Sequence, residues 1–433
     1  VVVSEMADLG KISFLKLRGA LAQVGSDTDP YLLNNTYSPS AMFGGYPAFG
    51  INSFATNPGL RPERTTSSEF GIDARFAKGR FGMDLAVYDM TTKDQIIYLP
   101  VASSTGRSSR LANGGAIRNT GIELQLYGDL VKTNNFKWNS RINLGANRAV
   151  VVSLPEGVSG GYPIVANMFP NDGGTAGLEY VAVEGELLGQ LKGLTFERDT
   201  DGNIIHQDGY PVVSEEKRTI GSYQPKARIG WMNSFSVGNW QANILFDGQI
   251  GGLIYSRSHT LHNTAGNLVN DDDPHLDMNA IDGRAISGVS YDSNGQPVYT
   301  EESAGGVVGA GVMYDSNGNL VENTVSVPLR DYYYKYYGNV WRRDNIEPST
   351  FDASYLKLRQ LSVAYTVPKE KLANTGLEGL TISFIGRNLL LFSKVPTIDP
   401  ETYSIRNGLF VNGYESTSMP SLRSFGFSIN ANL

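Results

Sequence analysis

Read two residues at a time, the stretch "RSFGFSINANL" sorts into two clean sets. Phe425, Phe427, Ile429, Ala431 and Leu433 fall on one side, and Ser424, Gly426, Ser428, Asn430 and Asn432 on the other. Such a period describes a β-strand with one apolar and one polar face. The pattern recurs along the chain. Phe70, Ile72, Ala74 and Phe76 alternate with Glu69, Gly71, Asp73 and Arg75. After the turn Ala77-Lys78-Gly79-Arg80, Phe81, Met83, Leu85 and Val87 alternate with Gly82, Asp84, Ala86 and Tyr88. This is a hairpin with one greasy face. A second hairpin sets Ile122, Leu124 and Leu126, then Phe136, Trp138, Ile142 and Leu144, on the apolar side. A third runs through Ile229, Trp231, Phe235 and Val237, turns at Gly238-Asn239 and returns through Trp240, Ala242, Ile244 and Phe246. A fourth joins "LSVAYTVP" to "LTISFIGRN", and its first strand breaks phase between Leu358 and Leu361, which predicts a bulge near Arg359.

With Leu15, Leu17 and Leu21 near the start, and the tail, the reading gives about ten strands of roughly the 9–11 residues that cross a bilayer when tilted. Short turns follow the second, fourth, sixth and eighth strands, whereas the connections 26–65, 91–119, 148–225, 251–352 and 389–420 are long. Alternating short and long connections mark an outer-membrane barrel, with short turns at the periplasm and long loops outside. A soluble β-sandwich also alternates, but it does not require this asymmetry. Aromatics near strand ends, such as Phe76, Phe81, Phe136, Trp138 and Trp240, suit a membrane interface. The opposite face carries Lys16, Arg18, Glu69, Asp73, Arg75, Lys137 and Arg141, as a water-filled lumen would.

Composition narrows the classes further. A net charge of −7 over 433 residues does not suggest a nucleic-acid binder. Without cysteine the chain forms no disulfide, thiolate metal site or Cys nucleophile. No stretch approaches the roughly 20 consecutive apolar residues of a spanning helix. The start, "VVVSEMADLGKISFLKLRG", does not read as a secretory signal. That start, and loops heavy for a ten-stranded barrel, lead us to expect residues 1–433 to be the carboxy-terminal portion of one larger barrel domain.

The stretches "FLKLRGALAQVGSDTDPY", "NPGLRPERTTSSEFGIDARF", "YDMTTKDQIIYLPV", "GGAIRNTGIELQLYG", "DASYLKLRQLSVAYTVP", "GRNLLLFSKVPTIDPE" and "MPSLRSFGFSINANL" resemble, in order, the SusC/RagA family of TonB-linked outer-membrane transporters. The resemblance implies an all-β, transmembrane antiparallel barrel of 22 strands with long extracellular loops and an amino-terminal plug. It also implies energy from the proton-motive force through TonB, and nutrient import beneath a SusD-like surface lipoprotein that closes as a lid. On this reading the signal peptide, plug, TonB-contacting segment and early strands are absent from residues 1–433, which supply wall, lumen chemistry and outer loops. Oligosaccharide and oligopeptide both stay open as ligands. A structural or adhesive barrel would share every strand.

The candidate capture element is "DYYYKYYGNVWRRDN", in the longest loop. There Tyr332, Tyr333, Tyr334, Tyr336, Tyr337 and Trp341 could stack on sugar faces or cover a peptide, and Arg342 and Arg343 could grip carboxylates. The same aromatics would equally pack loops together. "DTDGN" at 199–203, "DSNGQ" at 292–296 and "DSNGN" at 315–319 look like Ca²⁺ loops, but none continues to the distant bidentate Glu of an EF-hand, so hairpin turns are expected. Asp271, Asp272 and Asp273 could hold a cation, although a solvated acidic loop has the same composition. His259 and His262 have helical ligand spacing but no third ligand nearby. No cofactor is expected. With four His and no local Ser-His or Asp-His constellation, neither is catalysis.

Overall fold

A computed structural model describes the chain except for residues 6–9, 31, 166–176, 265–289, 292, 294–296, 299–305, 339–344, 374, 397, 403, 407–408 and 433. Ten long strands dominate it: β1 (Ile12–Ser26), β2 (Glu63–Phe76), β3 (Phe81–Lys93), β4 (Ala116–Lys132), β5 (Phe136–Ser153), β6 (Ala227–Val237), β7 (Trp240–Ile250), β8 (Tyr355–Thr366), β9 (Gly379–Ser393) and β10 (Ser424–Asn432). Each pairs antiparallel with the next in chain order. Among the described residues β1 and β10 do not pair with each other, so the sheet is an open arc of barrel wall.

Local chemistry sets the short turns. Phe76 pairs with Phe81, and the chain reverses between them through Ala77, Lys78 and Gly79 at φ values of 51°, 58° and 81°. Val237 pairs with Trp240 across a two-residue turn in which Gly238 takes φ 55°, where a side chain would be strained. Register then fixes the faces. Ile72 opposes Leu85, Leu85 opposes Leu124 and Leu124 opposes Leu144, while Asp84, Gln125 and Asn143 line up behind them.

The apolar face stays uncovered. Leu21, Phe70, Val87, Leu126, Trp231, Phe392 and Phe427 are all exposed on it. A soluble sandwich would bury this face against a second sheet, and water does not support an apolar surface this extensive. Its medium is lipid. Stacked Trp138 and Phe235, 5.7 Å apart, and tilted Trp240 and Tyr365, 4.7 Å apart, sit beside the short turns, as an interfacial aromatic belt requires.

The expected bulge is present. Leu245 opposes Gln360 and Phe246 opposes Leu358, which leaves Arg359 as the extra residue of β8. Across β9 the same point shifts register, with Leu358 opposite Leu390 and Gln360 opposite Arg387.

Buried apolar cores lie in the long connections instead of the sheet. One joins Leu178, Tyr180, Leu191, Tyr255, Ile346, Val411 and Tyr414 from three connections. Another gathers Phe196, Ile204, Val307 and Val327 around the tyrosines of the helix α2 (Leu329–Tyr336). A second helix, α1 (Arg257–Thr264), follows β7 by way of a short strand. The outer connections therefore form a folded layer at one end of the wall.

Candidate functional site

Two surfaces are placed to meet a solute: the polar inner wall and the mouth beneath the outer layer. On the wall, Arg18 Nη2 donates to Asp84 Oδ1 at 2.7 Å while its Nε lies 3.8 Å from Glu69 Oε1, and Gln125 donates to Asn143 at 2.8 Å. Two glycines keep this wall low. A Cβ at Gly82 would run into the Tyr127 ring, and one at Gly121 into the Tyr88 ring, so each ring lies across the neighbouring strand. Tyr88 then donates to Asn147 at 3.0 Å. Charges of both signs remain in contact with solvent.

At the mouth the same residue types are enclosed. Lys357, on the inner face of β8, is 2% exposed and donates to both oxygens of Asp399 at 2.6 and 2.7 Å and to Glu401. Three N–H groups find three carboxylate oxygens, which satisfies a buried ammonium. Arg359, two residues on, faces the same side, where it donates to Asp247 and, at 2.6 Å, to Glu401. Tyr355 completes the group by donating to Glu401 at 2.8 Å. Burial alone would push the Glu401 carboxyl up, but hydrogen bonds from Arg359, Lys357 and Tyr355 outweigh it and bring the group down to about 2. Beside this network a cavity opens between Tyr223, Arg228, Gln249, Thr402 and Asn412. The sequence reading did not single out these charges, although the phase break at Arg359 and the neighbouring "TIDPE" carried the signal.

The outer layer holds the predicted aromatics. Tyr332, Tyr333, Tyr336 and Tyr337 are buried, with Tyr332 stacked on Tyr336 at 5.7 Å and Tyr333 on Tyr337 at 5.6 Å. The Tyr332 hydroxyl pairs with His206 Nε2 at 3.1 Å. These four rings are spent on the loop core, so their expected stacking faces are turned away from the mouth's solvent. Their i, i+4 spacing, one buried stripe of a helix, was the available cue. Tyr334 is half-buried and Lys335 exposed on the other side of α2. Trp341, Arg342 and Arg343 lie outside the described residues, as do Asp271, Asp272 and Asp273.

Buried polar groups bind the connections together. Glu415, fully enclosed, accepts hydrogen bonds from Ser256 Oγ at 2.7 Å and Ser258 Oγ at 2.6 Å at the start of α1, and from the Ser418 N–H of its own connection at 2.9 Å. His259 lies edge-on to Tyr337 and Phe351. Its Nε2 accepts from Asn263 at 3.1 Å, so Nδ1 carries the proton toward Ser349, also at 3.1 Å. Burial, with His262 nearby, pushes His259 down to about 4. His262 is exposed. Asp199 and Asp315 accept backbone N–H groups two and four residues on, at 2.8–2.9 Å, which makes both Asp-Gly and Asn-Gly stretches hairpin turns. The stretch 292–296 lies almost wholly outside the described residues. Among the described residues no group of three or more His, Asp or Glu is placed to hold a metal.

A ten-stranded meander with a lipid face, a polar inner wall and folded outer connections has clear relatives. A family model described as "TonB dependent receptor-like, beta-barrel" matches residues 17–239, more than half of the chain. The chain belongs to the TonB-dependent receptor-like β-barrel family. It is accordingly an outer-membrane β-barrel protein, from a family of receptors and transporters, and its SusC/RagA likeness is visible in both sequence and fold. TonB-dependent receptor P26 of Formosa agariphila is 23% identical over 96% of this chain and 39% of its own length. TonB-dependent receptor SusC of Bacteroides thetaiotaomicron is 27% identical over 37% of this chain and 17% of its own. Among solved structures, that of the RagAB peptide transporter superposes with a TM-score of 0.66 at 17% identity, over 98% of this chain and 42% of that one. The chain spans about two fifths of the length of the first two curated receptors it matches.

Proposed function

We propose that residues 1–433 are the carboxy-terminal portion of a single barrel domain that imports a nutrient, an oligosaccharide or an oligopeptide, across the bacterial outer membrane. In this reading transport is driven through TonB by the proton-motive force, and a SusD-like surface lipoprotein acts as the lid. No catalysis and no cofactor are involved. The observation that carries the reading is the pairing of a solvated, mixed-charge inner wall with a folded outer layer at its mouth. An adhesin needs the outer layer but has no use for a charged passage behind it. The family membership and the RagAB-like fold support the same reading.

Within the outer layer we assign capture to the loop of α2. Tyr332, Tyr333, Tyr336 and Tyr337 form its scaffold, and Tyr334, Trp341, Arg342 and Arg343 are the groups that meet ligand. The test is mass spectrometry of molecules released on denaturing the complex purified from its native outer membrane in mild detergent. Peptides assign the arginines to ligand carboxylates, and oligosaccharides assign the aromatics to sugar faces. Release of neither, from a complex whose cells also take up no nutrient dependent on this gene, returns the chain to the structural or adhesive class.

A further inference from the structure

The connection between β9 and β10, residues 394–423, is tied down at two points by buried carboxylates. Near its start, Asp399 and Glu401 close on Lys357 and Arg359 of the wall, and the Glu401 N–H donates back to Asp399 at 3.0 Å, so the two acids are presented together. Val395 packs with Ile254 and Ala353 beside them. Near its end, Glu415 gathers the donors at the start of α1, and Tyr414 stacks on Tyr255 at 6.1 Å. Contacts continue outward, because α1 places His259 against Tyr337, 5.6 Å away, just after α2. A continuous path thus runs from wall to connection to α1 to the tyrosine core.

The bulge has its explanation here. Regular alternation puts Tyr355, Lys357 and Arg359 on this side, but carried further it would bring Leu361, Val363 and Tyr365 round to it as well. The extra residue at Arg359 resets the phase, so Leu361 and Val363 return to the apolar side with Leu356 and Leu358 while Lys357 and Arg359 keep to the inner one. One strand then aims two cations at two acids of the same loop.

We propose that Asp399 and Glu401 latch the last outer connection to the barrel wall, and that this latch, with Glu415 at the far end, makes the outer layer a rigid extension of β7–β9. The layer is then a fixed rim, and any opening of the mouth is carried by other parts. Arg359 and Lys357 are positioning residues in this scheme, acting through the loop they hold.

Hydrogen exchange on the full-length transporter in nanodiscs, followed by mass spectrometry, tests this. In the unmodified protein, amides of 394–402 and 412–418 should exchange as slowly as those of β7–β9. Lys357→Met should speed them at least about tenfold, because two acids lose a buried partner, while β1–β5 stay unchanged. Lys357→Met with Asp399→Leu should recover most of the protection, since an apolar pair removes the stranded charge. If Lys357→Met does not assemble, Arg359→Gln carries the test, with an expected acceleration of about threefold confined to 394–402 and α1. Fast exchange of 394–402 in the unmodified protein, or protection unmoved by the substitutions, overturns the latch.

Discussion

The inner wall at β1–β5 and the mouth at β7–β9 are built from the same ion pairs set at different depths. Arg18 and Asp84 meet at 2.7 Å with side chains 36% and 42% exposed, whereas Lys357 and Asp399 meet at 2.6 Å with side chains 2% and 7% exposed. Water competes for the first pair and not for the second. An exposed pair adds at most about 1 kcal/mol, while stranding one member of a buried pair costs roughly 3–5 kcal/mol. Distance alone therefore says little about a charge's job. The wall keeps its charges free to exchange partners with whatever passes, and the mouth uses its charges up in holding itself together.

This contrast can be broken at several depths. The largest effect is expected from Lys357→Met, which should cost about 3–5 kcal/mol of local stability at the mouth, read from the unfolding of residues 394–418 in a denaturant series. Acid should act next. His259 is held neutral in the fold at about 4 against an ordinary 6.5, so its contribution is complete above pH 6.5 and is lost as pH falls toward 4. A loss on the order of 3 kcal/mol around α1 is expected, absent in His259→Gln. Glu401, lowered to about 2 from 4.5, contributes above pH 4.5 and fails only as pH falls toward 2, so the two windows separate α1 from the latch in one titration. Glu415→Gln should cost about 1–3 kcal/mol at the start of α1, since an amide N–H would face serine donors. Arg18→Ala should change stability by less than about 1 kcal/mol. An effect from Arg18→Ala as large as that of Lys357→Met would remove the distinction between wall and mouth.

How much was legible follows the same line. The wall could be read because one apolar face and one polar face leave a period of two in every strand. The turn at Gly238 and the bulge at Arg359 showed as a breaker and a phase slip. The outer layer follows no such period. Tyr180 donates to the Gly413 carbonyl across 233 positions of chain, and Glu415 serves Ser258 across 157. Partners that distant leave no local pattern. For that reason the tyrosines of α2 could be read either as a capture surface or as loop packing, while the acids of the mouth looked like ordinary loop residues. The helical spacing of Tyr332, Tyr333, Tyr336 and Tyr337 was present in the sequence, but nothing nearby named Phe196 or Val307 as the surface they pack on.

The strictly sequential order of the ten strands also bears on how such a wall can change over generations. Each strand between the two ends of the arc is hydrogen-bonded to its immediate predecessor and successor, so a duplicated or deleted hairpin disturbs only the seam where it enters. Circumference can then grow or shrink two strands at a time without re-pairing the remainder. The folded outer layer has no such freedom, since its long-range partners must all be preserved together, and it is the part that sets a limit on inherited remodelling.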